Sequence, residues 1–340
     1  MNVFINGNEA AVRGALAAGA RGMFGYPITP STEILQGWSE EFVKDPDLKF
    51  VQTEDETAAG FVLNGAVLEG MKSFTATSGP GTVLMQDPLS MAENLRLPTV
   101  TIVMQRGGPS TGQVNFSQQE VMLACFGGNG EGLRIVYSAG NPQEMYDYTI
   151  KAFNSAWRYQ FPTLLLGDGY IGKQKIEVSL DHPLNTVKSF NLLDGKNLKN
   201  CYSSEAEFAA YLNQNIEDYK KIASKIEESS LFGATKAKTL IVAHGSTFYN
   251  VKEALNQIDP KGFKYALFRP ITLRPYPKKG IEKALQGRSK LTIIESSFGQ
   301  LERITKEAVD FSKHKLEVKS FFKPAEGFLM EEIIEFLERK

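Results

Sequence analysis

Residues 98–108, PTVTIVMQRGG, carry the strongest strand signal of the chain and decide its fold. The β-branched and apolar run from Pro98 to Met104 predicts a strand. Arg106 and two glycines follow directly, and an arginine at the end of such a strand has little packing role there. Because a guanidinium binds a carboxylate through two parallel hydrogen bonds, Arg106 is a candidate for binding an anionic substrate. The alternative is a surface arginine before a flexible loop.

Strand patterns alternate with helical patterns on both sides of this stretch. Alternation of this kind predicts an α/β fold in which a mostly parallel sheet is covered by helices on both faces. The predicted strands of the first half are residues 50–52, 73–77, 98–104, 133–137 and 162–166, and the predicted helices are residues 10–18, 57–68 and one that Asn141-Pro142 opens.

The length of 340 residues predicts two domains rather than one. We expect a first domain over residues 1–180 and a polar linker or arm over residues 181–235, with an amphipathic helix near residues 204–227. The alternation then resumes, which predicts a smaller α/β domain over residues 236–340. Its predicted strands are residues 239–243, 265–268 and 291–295, and its predicted helices are residues 248–258 and 333–337.

Composition excludes several classes of function. The net charge of −1 gives no basis for electrostatic binding of nucleic acid or an anionic membrane. Cys125 and Cys201 lie far apart, so this chain cannot hold an iron–sulfur cluster or a cysteine-rich zinc site by itself. Two isolated cysteines, no signal-peptide pattern and no apolar run of membrane-spanning length predict a cytoplasmic protein.

A second candidate segment is GYPITPST at residues 25–32. Each proline fixes its own φ and keeps the preceding residue out of the α region, so Thr29 lies on a stiff strand-to-helix loop. Open α/β folds bind ligands at that end of their strands, where a rigid hydroxyl can orient a small polar ligand. The alternative is a proline-rich connection without function.

Three consecutive acidic residues, Glu54, Asp55 and Glu56, stand between a short strand and an alanine-rich helix. Carboxylates in a first helical turn are favoured by the helix dipole, which accounts for Asp55 and Glu56. Glu54 is expected at the strand end, pointing into the cleft. A buried carboxylate there has a raised pKa and can share a proton with a heterocyclic nitrogen.

Residues 77–82, TSGPGT, form a glycine-rich turn between a strand and a helix. Such turns bring backbone N–H groups close to an anion or a cofactor, and the alternative is a tight turn without a ligand. Two other glycine-rich segments carry weaker signals: residues 127–132 lack the spacing of a dinucleotide loop, and Gly167-Asp168-Gly169 lacks the asparagine of a magnesium–diphosphate motif. His182, His244 and His314 have no metal-ligand spacing, so no metal site is predicted in this chain.

The four segments together resemble the α subunit of 2-oxoacid:ferredoxin oxidoreductases. Their order and spacing match that family over about the first 170 residues, and residues 273–277 and 295–301 resemble its second α-subunit domain. The RGGPSTG form of residues 106–112 resembles the 2-oxoglutarate enzymes more than the pyruvate enzymes, whereas residues 113–116, QVNF, depart from that pattern.

The resemblance implies a pyrimidine-binding thiamine diphosphate domain followed by a transketolase C-terminal-like α/β domain. It implies that Glu54 hydrogen-bonds the aminopyrimidine ring and promotes its imino form, that Arg106 binds the substrate carboxylate, and that Thr29 hydrogen-bonds the substrate. The remaining residues that it implies are Tyr26, Pro27, Ile28, Ser78 and Gly79 for the cofactor, and Ser110 and Thr111 for the substrate.

The resemblance also implies the reaction and the partners. The enzyme would decarboxylate a 2-oxoacid oxidatively to acyl-CoA and carbon dioxide and pass electrons to ferredoxin, with 2-oxoglutarate the favoured substrate. A β subunit would carry the diphosphate–magnesium module and the iron–sulfur cluster, γ and δ subunits are further expected partners, and coenzyme A would bind largely elsewhere. Thiamine diphosphate would thus be shared between two chains.

Other interpretations remain open at the level of sequence. One is another thiamine enzyme subunit, acting on pyruvate, a branched-chain 2-oxoacid or indolepyruvate, or resembling transketolase. The other is a non-catalytic nucleotide-binding α/β protein with a degenerate thiamine fold. The presence of both Glu54 and Arg106 argues against the non-catalytic alternative.

Overall fold

The computed structural model describes residues 1–181, 185–194, 198–234 and 236–339, so His182 and short pieces of the predicted arm lie outside the described residues. The strands are β1 (Asn2–Asn6), β2 (Gly22–Gly25), β3 (Lys49–Gln52), β4 (Ser73–Thr77), β5 (Val100–Gln105), β6 (Ile135–Ser138), β7 (Thr163–Asp168), β8 (Lys175–Ser179), β9 (Ser229–Gly233), β10 (Thr239–Val242), β11 (Tyr265–Pro270), β12 (Thr272–Arg274), β13 (Lys290–Glu295) and β14 (Glu317–Phe322).

Helices connect these strands. They are α1 (Gly7–Ala17), α2 (Thr32–Lys44), α3 (Glu56–Leu68), α4 (Pro80–Leu84), α5 (Gln86–Leu95), α6 (Val121–Phe126), α7 (Pro142–Tyr159), α8 (Gly169–Lys173), α9 (Glu205–Ile226), α10 (Gly245–Ile258), α11 (Lys278–Leu285), α12 (Gln300–Ala308) and α13 (Met330–Glu338). None of the helices in the described ranges is long and apolar enough to cross a bilayer.

Six strands from the first half of the chain, together with β12 from the second half, build a seven-stranded sheet in the order β12-β6-β7-β5-β4-β2-β3. Neighbouring strands are parallel except for β12, which runs antiparallel to β6. Every residue of β4, β5 and β7 is buried, as expected for the centre of a parallel sheet with both faces covered. The predicted α/β fold is therefore confirmed, and the strand from Val100 to Gln105 lies in the middle of the sheet.

The last third builds a five-stranded sheet in the order β14-β13-β10-β11-β9. Strands β10, β11, β13 and β14 are parallel, and β9 is antiparallel to β11. The two sheets share one hydrophobic core cluster, which contains Val103 and Leu164 from the larger sheet and Val242 and Phe268 from the smaller one.

Two strands cross between the predicted segments. Strand β9 follows the helix of the predicted arm, α9, and extends the five-stranded sheet, while β12 leaves the second half of the chain to join the seven-stranded sheet. A buried ion pair adds to this connection: Arg269 of β11 donates two hydrogen bonds to the carboxylate of Glu144 on α7. Helix α7 is thereby tied to the five-stranded sheet.

Candidate functional site

The candidate site lies at the carboxyl edge of the seven-stranded sheet. Because β2, β3, β4 and β5 are parallel, the segments that follow them emerge at the same edge. These are the four segments that the sequence singles out. The structure brings them together around one buried guanidinium, that of Arg106.

Arg106 follows β5 and is 6% exposed. Its Nη1 donates a 2.8 Å hydrogen bond to the carbonyl oxygen of Thr29, and its backbone N–H donates to Glu120 Oε2 at 3.1 Å. Its Nε is buried and has no hydrogen-bond partner within the described residues. A buried N–H that lacks a partner is costly, so this donor is available for a ligand.

Thr29 contacts Arg106 through its backbone, and its side chain is exposed. The neighbouring residues Tyr26, Pro27 and Ile28 form the loop that reaches Thr29; Tyr26 is exposed and the other two are half-buried. The serine that ends this loop closes it, because Ser31 Oγ donates to the Ile28 carbonyl at 2.8 Å. The loop is thus a rim of the site with a fixed shape.

The glycine-rich turn after β4 packs directly on Arg106. Gly79 has φ of +50°, in the region that favours glycine, and a Cβ there would lie 2.6 Å from Arg106 Nε. Ser78 is fully buried, and its hydroxyl has no partner in the described chain; the same holds for Thr77. The turn therefore presents two hydroxyl groups with unused hydrogen-bonding capacity.

The buried carboxylate of the acidic segment is Glu56, not Glu54. The expectation that Glu54 is buried is wrong, since its side chain is exposed. Asp55 caps α3, with its Oδ1 accepting from the backbone N–H of Ala58 at 2.7 Å, and Glu56 begins the helix on its buried side. Glu54 remains in the loop before the cap and faces outward.

Glu56 is 5% exposed, and its Oε1 has no hydrogen-bond partner within the described residues. Burial raises the pKa of this carboxyl, and the negative charge of Asp55 raises it further, against the opposing effects of its own backbone N–H and of Arg106. Gly81 leaves space for the carboxylate, because a Cβ at this position would collide with Glu56 Oε1. Such a group holds a proton more readily than an exposed glutamate does.

A second buried carboxylate, Glu120, was not singled out from the sequence. It follows the loop after Arg106 and is buried, and its Oε2 accepts from the Arg106 N–H. Burial raises its pKa to about 7, although the Thr82 hydroxyl and the backbone N–H groups of Arg106 and Gly79 act in the opposite direction. Its sequence context is that of an ordinary acidic residue before an apolar helix, and only the fold reveals its burial.

Ser110 and Thr111 lie on the exposed part of the loop that follows Arg106. Ser110 has φ of +54°, a left-handed conformation that is uncommon for a residue with a side chain. The structure places both residues at the rim of the site, farther along the loop than the buried guanidinium.

The segments with weaker sequence signals have structural roles. Asp168 caps the short helix α8 by accepting from the backbone N–H groups of Tyr170 and Ile171, and its other oxygen accepts from Ser246 at 2.5 Å. The carbonyl of Gly127 accepts from the buried Arg134. Among the described residues, no group of three or more His, Cys, Asp or Glu side chains could hold a metal ion.

The unpartnered polar atoms are the chemical signature of the site. They comprise a carboxylate acceptor, two hydroxyl groups and one guanidinium N–H, all at one edge of the sheet; the atoms are Glu56 Oε1, Thr77 Oγ1, Ser78 Oγ and Arg106 Nε. This set fits a heterocycle with ring nitrogen and amino groups together with an anionic substrate. It does not by itself supply the ligands of a metal–diphosphate group.

Comparison with known proteins agrees with this chemistry. The family model described as pyruvate flavodoxin/ferredoxin oxidoreductase, thiamine diphosphate-binding, matches residues 10–239. The model described as pyruvate:ferredoxin oxidoreductase core domain II matches residues 237–331. The family predicted from the four motifs is therefore confirmed.

Individual relatives cover nearly the whole chain. The 2-oxoglutarate synthase subunit KorA of Methanocaldococcus jannaschii is 32% identical, over 90% of this chain and 92% of that protein. The ketoisovalerate oxidoreductase subunit VorB of Methanothermobacter marburgensis is also 32% identical, over 89% of each chain.

A solved structure shares the fold. It is a 2-oxoglutarate:ferredoxin oxidoreductase from Magnetococcus marinus with 2-oxoglutarate, coenzyme A and succinyl-CoA bound, and the TM-score is 0.91 at 24% identity. The match covers 99% of this chain and 65% of that chain. The chain therefore belongs to the pyruvate flavodoxin/ferredoxin oxidoreductase family, as a subunit of a thiamine-dependent 2-oxoacid:ferredoxin oxidoreductase.

Proposed function

We propose that this chain is an α subunit that binds the pyrimidine half of thiamine diphosphate and the carboxylate of a 2-oxoacid. The enzyme would convert the 2-oxoacid and coenzyme A to acyl-CoA and carbon dioxide and pass the electron pair to ferredoxin. The observation that carries this proposal is the pairing of Glu56 with Arg106. Both are buried at one sheet edge, and each keeps a polar atom without a partner in the described chain.

Glu56 is the residue that we assign to the pyrimidine ring, in place of Glu54. Its raised pKa suits a carboxyl that shares a proton with a ring nitrogen, and its unpartnered Oε1 is the atom that would hold that proton. Thiamine diphosphate, when bound, supplies the stabilised carbanion that decarboxylation requires. Tyr26, Pro27 and Ile28 would line one side of the ring, and Ser78 and Gly79 the other.

Arg106 is the residue that we assign to the carboxylate of the 2-oxoacid. The Thr29 carbonyl and the Gly79 turn hold its guanidinium in place, so little side-chain entropy is lost when the substrate binds. The Thr29 hydroxyl would hydrogen-bond the same substrate from the rim. Ser110 and Thr111 would contact the remainder of the substrate from the exposed loop.

The rest of the cofactor site would come from a β subunit with the diphosphate–magnesium module and an iron–sulfur cluster, with γ and δ subunits as further partners. An apolar surface beside the site supports a partner chain there. Helices α3 and α4 expose four large apolar side chains next to Glu56, namely Phe61, Val62, Val83 and Leu84. Exposed apolar surface of this kind marks interaction sites on proteins.

For the substrate, we favour 2-oxoglutarate on the RGGPSTG form of residues 106–112. A branched-chain 2-oxoacid is the second candidate, because a ketoisovalerate oxidoreductase subunit is as similar, at 32% identity, as a 2-oxoglutarate synthase subunit. We also propose a cytoplasmic location, which the two unpaired cysteines support. The domain division at residues 180 and 235 stays a proposal, and β9 and β12 both pair across it.

The test is reconstitution with a candidate β subunit. Thiamine-dependent reduction of a viologen dye is measured with coenzyme A and, in turn, 2-oxoglutarate, 2-oxoisovalerate and pyruvate. We expect the highest kcat/KM with 2-oxoglutarate, and only weak thiamine diphosphate binding by the chain alone in calorimetry. Tight, magnesium-dependent binding by the isolated chain would overturn the shared site, and preference for 2-oxoisovalerate would overturn the substrate assignment.

A further inference from the structure

The loop that follows Arg106 is held from the other half of the molecule. This loop, residues 107–119, connects β5 to the residues before α6. Gln300, in the first turn of α12, donates from Nε2 to the Gln119 carbonyl at 2.6 Å and accepts from the Met122 N–H at 2.9 Å. Gln113 donates to the Ala325 carbonyl at 3.1 Å. The smaller sheet and its loops therefore fix the course of the loop.

Gln118 is the centre of this connection. It is fully buried, and its Nε2 donates to the His244 carbonyl at 3.0 Å while its Oε1 accepts from the Thr247 hydroxyl at 2.9 Å. Its backbone N–H donates to the Ser296 carbonyl at 3.0 Å. The fit is close, because a Cβ on Gly245 would lie 2.7 Å from Gln118 Nε2.

A short path of hydrogen bonds leads from Gln118 to the guanidinium residue. Gln119, the next residue, accepts from the Gly108 N–H at 3.1 Å. The carboxylate of Glu120, one residue later, accepts from the Arg106 N–H at 3.1 Å, and the backbone N–H of Glu120 donates to Gln105 Oε1 at 3.3 Å. These hydrogen bonds close the loop around the backbone of Arg106. Gln118 attaches the closed loop to α10 and to Ser296, the residue after β13.

We propose that Gln118 is a positioning residue for 2-oxoacid binding: it ties the Arg106 loop to the five-stranded half of the chain and so sets the place of the Arg106 guanidinium. The inference rests on the proposed role of Arg106. Gln118 itself touches neither cofactor nor substrate in this account. Through the buried side-chain amide of Gln118, the five-stranded half would help to position the substrate-binding guanidinium.

The chain offers a matched control for this amide. Gln143 on α7 likewise uses both ends of its side-chain amide, donating to the Ser179 carbonyl at 3.0 Å and accepting from the Ser179 N–H at 2.8 Å. It ties β8 to α7 and has no hydrogen bond to the loop of residues 107–119 among those described. Methionine approximates the length and volume of glutamine without its hydrogen bonds, so Gln118→Met and Gln143→Met each remove the hydrogen bonds of one side-chain amide.

The experiment compares the two variants in the complex reconstituted with the β subunit. Hydrogen–deuterium exchange is followed at the amides of Arg106, Gly108 and Gln113, and kcat and KM are measured with the preferred 2-oxoacid. For Gln118→Met we expect exchange at these amides to rise at least about tenfold, since their local opening is no longer restrained. We expect KM to rise about tenfold while kcat changes less than about threefold. Gln143→Met should change neither quantity.

Thr247→Val removes the hydroxyl that donates to Gln118 Oε1, so it breaks the same hydrogen bond from the other partner. The Thr247 hydroxyl acts on the loop only through its hydrogen bond to Gln118. The double variant Gln118→Met, Thr247→Val should therefore have a KM no higher than that of Gln118→Met alone. Unchanged exchange in Gln118→Met, or additive effects of the two substitutions, would overturn the proposal. If exchange rises but KM for the 2-oxoacid stays constant, Gln118 orders the loop without positioning Arg106, and the proposal also fails. A wild-type complex that turns over no 2-oxoacid would instead contradict the proposed function.

Discussion

Each sheet has a buried glutamate near the carboxyl end of one of its strands, and the two glutamates differ in their hydrogen bonds. Glu295, which ends β13, accepts from the backbone N–H groups of Leu301 and Glu302 at 2.8 and 2.9 Å and from the Ser297 hydroxyl. Glu56, beyond β3, leaves Oε1 without a partner in the described chain. Burial raises the pKa of both carboxyls.

Burial and a raised pKa therefore do not distinguish the two glutamates, whereas unused hydrogen-bonding capacity does. Glu295 caps α12, and both of its carboxylate oxygens already accept hydrogen bonds from the chain itself. Glu56 lies beside Arg106 Nε and the Ser78 hydroxyl, which are also unpartnered among the described residues. The binding site is recognised here by buried polar atoms that have no hydrogen-bond partner in the described chain.

The largest effect is expected from Glu56→Gln. Glutamine keeps the size and one acceptor oxygen but cannot exchange a proton with the cofactor ring, so kcat should fall by about 10²–10⁴ in the reconstituted complex. The chemical denaturation midpoint of the chain should not fall, because no internal hydrogen bond of Oε1 is lost. Asp55→Asn, at the adjacent cap position, is the control for activity. A Glu56→Gln enzyme with wild-type kcat would remove Glu56 from the chemistry.

Arg106→Ala should be next in size. Loss of a charge-assisted contact to a carboxylate costs about 2–4 kcal/mol, so kcat/KM for the 2-oxoacid should fall about 30-fold to 1,000-fold. Arg106→Lys should restore only part of it, because an ammonium lacks the planar fork. Calorimetry with thiamine diphosphate on the same complexes separates substrate binding from cofactor binding. If Arg106→Ala weakened thiamine diphosphate binding as much as substrate use, a role limited to the substrate would be contradicted.

Glu120→Gln should change how stability depends on pH. The folded-state pKa is raised from 4.5 to about 7, so the protonated carboxyl favours the folded state below pH 4.5, and this advantage is lost as the pH rises through about 7. Between pH 5 and 8 the stability of the variant relative to wild type should therefore increase, by up to about 3 kcal/mol. Urea unfolding of both chains across this range is the measurement. A difference that is independent of pH would contradict the burial of an ionisable group there.

Glu295→Gln should show the smallest effect, and on stability alone. The amide NH₂ faces backbone N–H groups that need an acceptor, so the free energy of unfolding should fall by about 1–3 kcal/mol. Glu295→Gln should thus lower stability alone, whereas Glu56→Gln should lower kcat without lowering stability. If Glu295→Gln left stability unchanged while Glu56→Gln lowered it, the distinction between the two glutamates would be wrong.

The segments of the site can be located from the sequence because they all follow strands of one parallel sheet. Parallel strands end at one edge, so residues placed after them must meet, and Arg106, Thr29 and Ser78 were found in this way. The choice among Glu54, Asp55 and Glu56 required the phase of α3. Glu56 stands three or four residues before the buried positions Ala59 and Gly60, so it shares their face of the helix.

That periodicity is a signal present in the sequence, whereas the expectation that Glu54 is buried rests on the strand end alone. Other features had no local signal. Gln118 and Glu120 acquire their surroundings from residues more than one hundred positions away, or from a turn on another strand. Strand β12 is three residues long and joins the sheet of the other half of the chain, which only the tertiary packing determines.

The most direct test of the central claim is proton exchange at the thiazolium C2 of thiamine diphosphate bound to the reconstituted complex. The rate is measured in deuterium oxide for wild type, Glu56→Gln and Glu54→Gln. The assignment of Glu56 predicts slow exchange in Glu56→Gln, reduced by about 10²–10⁴, and a wild-type rate in Glu54→Gln, whose side chain is exposed. Wild-type exchange in Glu56→Gln, or slow exchange in Glu54→Gln, would contradict it.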